Sequence, residues 1–202
     1  VAEFKVGQTK KEIIDIVKNT GLAHKLSLIY IETPANPTND LIDIEVSKEI
    51  ARLFSTTEKE IYLAVDNTYL GPIWQHPIKH GADLVLYSAT KYIGGHSDVI
   101  AGACLGSKAL ISRVKALRTF LGNMASPNTG WLLLRSLETL KVRMDAQAFN
   151  AQKVAGYLNQ HPAVEKVYFL GNLTEKNGEQ YDVWKKHCLS SGGMLSFDIK
   201  GG

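Results

Sequence analysis

At 202 residues, with 45% hydrophobic and 21% charged content, the chain can bury a sizeable core, which excludes disordered, collagenous and coiled-coil classes. A net charge of +3, from 23 Lys and Arg against 20 Asp and Glu, is too mild to mark a nucleic-acid protein. No apolar run approaches the roughly 18 residues that a membrane-spanning helix needs. The densest basic stretch, Arg113, Lys115 and Arg118, has no interleaved aromatics and reads as a solvated helix face. Cys104 and Cys188 lie far apart and match neither a disulfide framework nor paired zinc-ligand spacing, so reduced thiols in a cytoplasmic protein are expected, with no metal centre. The N-terminus carries no apolar export segment and no initiator Met, and the chain stops at Gly201-Gly202 directly after a strand-like run.

Leu26 to Ile31 is a nearly continuous apolar run closed by Glu32-Thr33-Pro34, which predicts a strand buried on both faces. After Asp43, the residues Val46, Ile50, Leu53 and Phe54 recur at helical spacing and predict a helix packed on one side of a sheet. Ile61 to Val65 predicts a second buried strand, ending in Asp66-Asn67-Thr68. Gly71, Pro72 and Pro77 make the following stretch poor helix material, better suited to a loop and a short turn. Leu84 to Tyr87 predicts a third strand leading into Ser88-Ala89-Thr90-Lys91, and Ile100 to Leu105 a fourth. Solid apolar strands with a helix between the first two predict an α/β fold with a mostly parallel sheet covered by helices.

Leu110, Val114, Leu117 and Leu121 predict a helix stopped by Gly122. Ser126-Pro127 has the form of an N-cap with proline at the first helical position, opening one long helix to about Leu158. Beyond His161-Pro162, the apolar residues Val164, Val167 and Phe169, a polar loop, and Met194 to Ile199 predict the opening strands of a smaller α+β domain. The expected organisation is therefore part of a large domain over 1–125, a connecting helix over 126–160 and the beginning of a small domain over 161–202.

In open parallel sheets, ligands gather at the carboxyl ends of the strands. Three polar clusters fall there: Glu32 to Asn36, Asp66 to Thr68, and Ser88 to Lys91. Each alone reads as a cap, a turn or a solvated lysine. Together they place a carboxylate at one strand end and an amine at another, with two hydroxyls beside the amine. Pyridoxal phosphate requires such a set: an amine for a Schiff base, a carboxylate to keep the pyridine nitrogen protonated, and donors for the phosphate.

Three motifs sharpen this reading: Glu32-Thr33-Pro34-Ala35-Asn36-Pro37-Thr38, Ala64-Val65-Asp66-Asn67-Thr68, and Ser88-Ala89-Thr90-Lys91-Tyr92-Ile93-Gly94-Gly95-His96-Ser97-Asp98. In this order, and with Arg135 to Leu140, Arg143-Met144 and His161 to Val167 behind them, they resemble the Cys/Met metabolism pyridoxal-phosphate family. That family includes cystathionine γ-synthase, cystathionine and methionine γ-lyases and acylhomoserine sulfhydrylases. The resemblance implies an aspartate-aminotransferase-like (fold type I) large domain. It also implies that Lys91 binds the cofactor covalently and shuttles protons, that Asp66 pairs with the ring nitrogen, and that Ser88 and Thr90 bind the phosphate. Thr68 would lie close to the ring, and Asn36 would reach the ring hydroxyl and the substrate side.

The same resemblance implies a small sulfur amino acid or acylhomoserine as substrate and γ-elimination as the reaction, with γ-replacement as the alternative. It further implies a homotetramer whose sites are shared across a dimer interface. The family's phosphate loop, ring-stacking tyrosine and substrate-carboxylate arginine fall outside these 202 residues, so the chain alone is expected to lack turnover. Other classes fit less well. Gly95-His96-Ser97-Asp98 begins like a nucleophile elbow, but Val99 replaces the final glycine. No phosphate-binding Gly-Lys-Ser/Thr loop exists for a nucleotide site. His76 and His80 have the spacing of a helical zinc pair, yet Pro77 stands where a metalloprotease needs glutamate. A non-catalytic fragment or interaction module is the remaining alternative, and uptake of a yellow cofactor on Lys91 separates it from the enzyme.

Overall fold

The computed structural model describes residues 1–201. A four-stranded sheet is formed by β1 (Leu28–Glu32), β2 (Tyr62–Asp66), β3 (Leu84–Ser88) and β4 (Gly102–Gly106), lying side by side in chain order. The first three are parallel, whereas β4 runs antiparallel to β3 and pairs Gly102 with Ser88. The reason lies in the connection. Parallel neighbours need a long crossover, and the segment between β3 and β4 forms a tight turn around Lys91 with no crossover helix.

Between β1 and β2 runs α2 (Ile44–Phe54), preceded in the chain by α1 (Lys10–Asn19). Asp43 caps α2 by accepting from the backbone N–H groups of Glu45 and Val46. Its apolar stripe buries Ile44, Ile50 and Ala51 against Ile29, Ile31, Leu63 and Val65 of the sheet. Each such aliphatic side chain contributes about 1.5–3 kcal/mol when fully buried. Lys48 on α2 places its ammonium 2.7 and 2.8 Å from the two carboxylate oxygens of Asp83, and Asp83 also accepts the Leu63 N–H. A largely buried ion pair thus ties the helix to the sheet.

Several sequence-based expectations need correction. β1 alternates rather than being buried on both faces: Ile29 and Ile31 point into the core, while Leu28 and Tyr30 are 44% and 52% exposed. Among the described residues, only one of its faces is covered. The long connecting helix is two helices, α5 (Pro127–Leu137) and α6 (Leu140–Asn159), following α4 (Lys108–Leu121). The break is stabilised by Arg143, whose Nη2 donates to the Ser136 carbonyl and whose Nε donates to the Thr139 hydroxyl. Side-chain donors there satisfy groups that a continuous helix would have paired internally.

The polar loop contains another helix, α7 (Glu179–His187), which buries only Val183 and His187 and so shows little apolar periodicity. α1 is a further helix, opened by a capping box between Thr9 and Glu12. The stretch between β2 and β3 holds a single helical turn, α3 (Gly71–Trp74), and a 3-10 turn at Pro77–His80. A separate antiparallel pair, β5 (Val164–Tyr168) and β6 (Ser196–Ile199), forms the second sheet. No described helix is long and apolar enough to cross a membrane.

Candidate active site

The three parallel strands end in polar residues at the same edge of the sheet: Glu32, Asp66 and Ser88. Glu32 and Asp66 are register partners, so two carboxylates sit side by side. The Glu32 carboxyl is pushed up by burial and by the Asp66 charge, although the Asn36 backbone N–H donates to it. The Tyr30 hydroxyl is pushed up to about 12, mainly by burial and then by Asp66. Negative charge is therefore concentrated where a bound cation would be favoured.

Asp66 is held from three directions. Its Oδ1 accepts from the Thr68 N–H at 3.0 Å and the Thr68 hydroxyl at 2.6 Å, and its Oδ2 accepts from the Tyr30 hydroxyl at 3.2 Å. A carboxylate has about four acceptor positions, which leaves one for a further N–H. The Thr68 hydroxyl also accepts the Ser88 N–H at 2.8 Å. One side chain thus connects the end of β2 to the end of β3.

Lys91 follows β3 in a turn closed by its own N–H donating to the Ser88 carbonyl at 3.0 Å and by the Gly95 N–H donating to the Lys91 carbonyl at 2.7 Å. The lysine is exposed and lines an open cavity of about 920 Å³ together with Asn36, Thr68, Tyr69, Thr90 and Tyr92. Asp66 and Ser88 line a neighbouring cavity of about 620 Å³, beside Cys104 and Arg118. The six sequence-predicted residues therefore divide between two cavities, with Thr68 bonded across the division. Thr90 is engaged locally: its hydroxyl donates to the Ala101 carbonyl at 3.3 Å and accepts the Ala101 N–H at 3.0 Å. Asn36 sits in an exposed turn at the mouth.

The turn is clamped from α6. Arg143 Nη1 donates to the Tyr92 carbonyl at 2.8 Å. Gly95 has φ +71°, and a Cβ there would lie 1.9 Å from Arg143 Nη1. Gly95→Ala is expected to cost about 1–3 kcal/mol, from left-handed backbone strain and displacement of the guanidinium. Urea denaturation checks this, and in an Arg143→Ala background the displacement part of the cost should vanish.

Lining residues that sequence reasoning missed are Tyr69, Gln147, Gly193 and Met194. Tyr69 directly follows Thr68 in the second motif and was within reach; the others arrive from α6 and the segment before β6. The rival serine-hydrolase arrangement does not form. His96 Nδ1 pairs with the Gly94 carbonyl at 2.6 Å, and no hydrogen bond joins Ser97 to a histidine among the described residues. His76 immediately precedes the 3-10 turn and His80 is its last residue, so the two do not lie on one helix.

Comparison with known proteins identifies the relatives of the chain. L-methionine γ-lyase of Fusobacterium nucleatum subsp. polymorphum is 37% identical over 191 residues, spanning 94% of this chain and 46% of that enzyme. Cystathionine γ-lyase of Bacillus subtilis is 41% identical over 172 residues, 85% of this chain and 43% of the relative. The crystal structure of cystathionine γ-synthase from Xanthomonas oryzae pv. oryzae, in complex with aminoacrylate and cysteine, superposes with a TM-score of 0.83 at 34% identity. It covers 100% of this chain and 48% of that one. The chain spans about half the length of the relatives it matches. The family model for the Cys/Met metabolism PLP-dependent enzymes matches residues 5–202, and the chain belongs to that family.

Proposed function

We propose that the protein is a pyridoxal-phosphate-dependent enzyme of sulfur amino-acid metabolism that eliminates the substituent at Cγ of methionine or cystathionine, with Lys91 as its catalytic amine. The reading is supported by Asp66 and Ser88 ending adjacent parallel strands, joined through the Thr68 hydroxyl, with Lys91 in the turn that follows Ser88. The residues fit the cofactor by their chemistry: an accessible amine, a carboxylate with an acceptor position open, and hydroxyls on Ser88 and Thr90. When bound, pyridoxal phosphate supplies an electron sink for the pair left as the Cα proton departs.

The residues divide the remaining work. Lys91 would hold the cofactor covalently and supply the amine that moves protons at Cα and Cβ of the substrate. Asp66 holds the ring nitrogen protonated, and Thr68 and Tyr30 keep its carboxylate oriented. Ser88 and Thr90 bind the phosphate, for which the Thr90 hydroxyl must turn from the Ala101 carbonyl. Asn36 contributes its amide from the mouth of the cavity. Residues 1–125 serve as part of the large domain, the paired helices over 126–160 as the connector, and 161–202 as the opening of the small domain.

A second reading, γ-replacement as a cystathionine γ-synthase or acylhomoserine sulfhydrylase, is favoured by the likeness to the solved synthase. Assays of the intact protein separate the two. Keto-acid release from methionine or cystathionine without added thiol is the expected result. Turnover only of acylhomoserine with cysteine would establish the alternative, and no turnover of any of the three would overturn both.

The reading extends to a homotetramer. Phe120 and Leu121 of α4, Trp131 and Leu134 of α5 and Val142 of α6 are 58–87% exposed, apolar surface suited to burial between copies. The reading also extends to a cytoplasmic location, in keeping with two cysteines that form no disulfide.

A further inference from the structure

Outside the Lys91 cavity, the protein gathers a second set of ligand-type side chains. His187, the last residue of α7, has a fully buried side chain, and its Nε2 lies 3.1 Å from Oδ1 of Asp43. Its Nδ1 is buried with no hydrogen-bond partner. His80 meets the His187 ring edge-on, with centroids 4.3 Å apart, and its own Nδ1 lies 3.0 Å from Oε1 of Glu45. Glu45, His80 and His187 each offer a donor atom within 4.8 Å of the other two. None of them lines the cavity around Lys91.

The tautomer of His187 follows from its neighbours. Asp43 is an acceptor, so the imidazole donates Nε2–H to it, and in the neutral ring Nδ1 is then a buried lone pair with no donor to it. Metal-bound histidines show the same division, with one ring nitrogen on the ion and the other donating to a carboxylate. Two imidazoles and one carboxylate with a position left for water suit zinc, whereas calcium and magnesium favour all-oxygen sets. Neighbouring ligands in a tetrahedral site with bonds near 2.0 Å sit about 3.3 Å apart, close to the Glu45–His80 separation.

Lys186 supplies the positive charge in the absence of an ion. Its ammonium lies 2.7 Å from Glu45 Oε2 and 3.1 Å from Asp43 Oδ2, and its side chain is 40% exposed, with room to swing into water. We propose that Glu45, His80 and His187 form a binding site for a zinc-class divalent cation, with Asp43 supporting His187 from behind. Such an ion would join α7 to α2 and to the turn before β3, a structural staple independent of the chemistry at Lys91.

Titration of dialysed intact protein with zinc chloride, followed by calorimetry, tests the assignment, with cobalt(II) absorption reporting tetrahedral geometry. One zinc per chain and a cobalt visible band are expected. Glu45→Gln and His80→Gln, both at accessible positions, should each weaken binding by at least about ten-fold. Lys186→Ala should tighten it by removing the competing ammonium. Absence of zinc binding, or binding that Glu45→Gln and His80→Gln leave unchanged, would overturn the site. Because His187 is buried and its replacement risks the fold, the decision rests on the Glu45, His80 and Lys186 variants.

Discussion

Replacing Lys91 by alanine should lower the elimination rate of the intact protein by at least about 10⁴-fold, because one amine both anchors the cofactor and carries the substrate's protons. Lys91→Arg should be equally inactive. Arginine keeps the positive charge and the length but stays protonated at every accessible pH, so it can serve neither as nucleophile nor as base. The turn that holds Lys91 is closed by backbone hydrogen bonds and clamped by Arg143, none of which involves the lysine side chain. Both variants should therefore fold normally. Borohydride reduction of the wild type should fix the cofactor on the peptide containing Lys91, and neither variant should be labelled. Labelling of a different lysine, or substantial rate in Lys91→Ala, would remove Lys91 from the chemistry.

Asp66→Asn should reduce turnover by about 10³-fold while leaving stability nearly unchanged. The amide retains an oxygen for the Thr68 donors but loses the charge that would keep a ring nitrogen protonated. A measurement independent of catalysis accompanies it. The Glu32 carboxyl stands above its ordinary range because of burial first and the Asp66 charge second. Removing that charge takes away the second cause, so Glu32 in Asp66→Asn should titrate at lower pH than in the wild type while burial still holds it up. Carboxyl titration by NMR checks the sign. An unchanged Glu32 pKa would mean that the two carboxylates do not interact across β1 and β2.

The two effects come from one feature of the fold. Parallel strands deliver Glu32, Asp66 and Ser88 to a common edge, and the reversal of direction at β4 keeps the Lys91 turn at that edge. Thr68 then links the strand ends through side-chain and backbone hydrogen bonds. Charge placement at the site is thus a consequence of sheet topology, and Arg143 clamps the Lys91 turn, which lies outside the strand pairing.

The strands, the capped helix after Asp43, the stop at Gly122 and the motifs around Asn36, Asp66 and Lys91 were all legible in the sequence. They depend on interactions between residues close in the chain: apolar periodicity, side-chain caps and glycines that accept left-handed backbone. Tertiary structure alone decided the break at Glu138-Thr139, since it rests on Arg143 reaching back to Ser136 while also holding Tyr92. It likewise decided that α7 forms from a polar stretch, that Gln147 and Met194 join Lys91, and that His80 meets His187 rather than His76. Local pattern records what a residue can do with its near neighbours; which distant side chain completes its hydrogen bonds or shares its cavity is settled only when the sheet and helices pack.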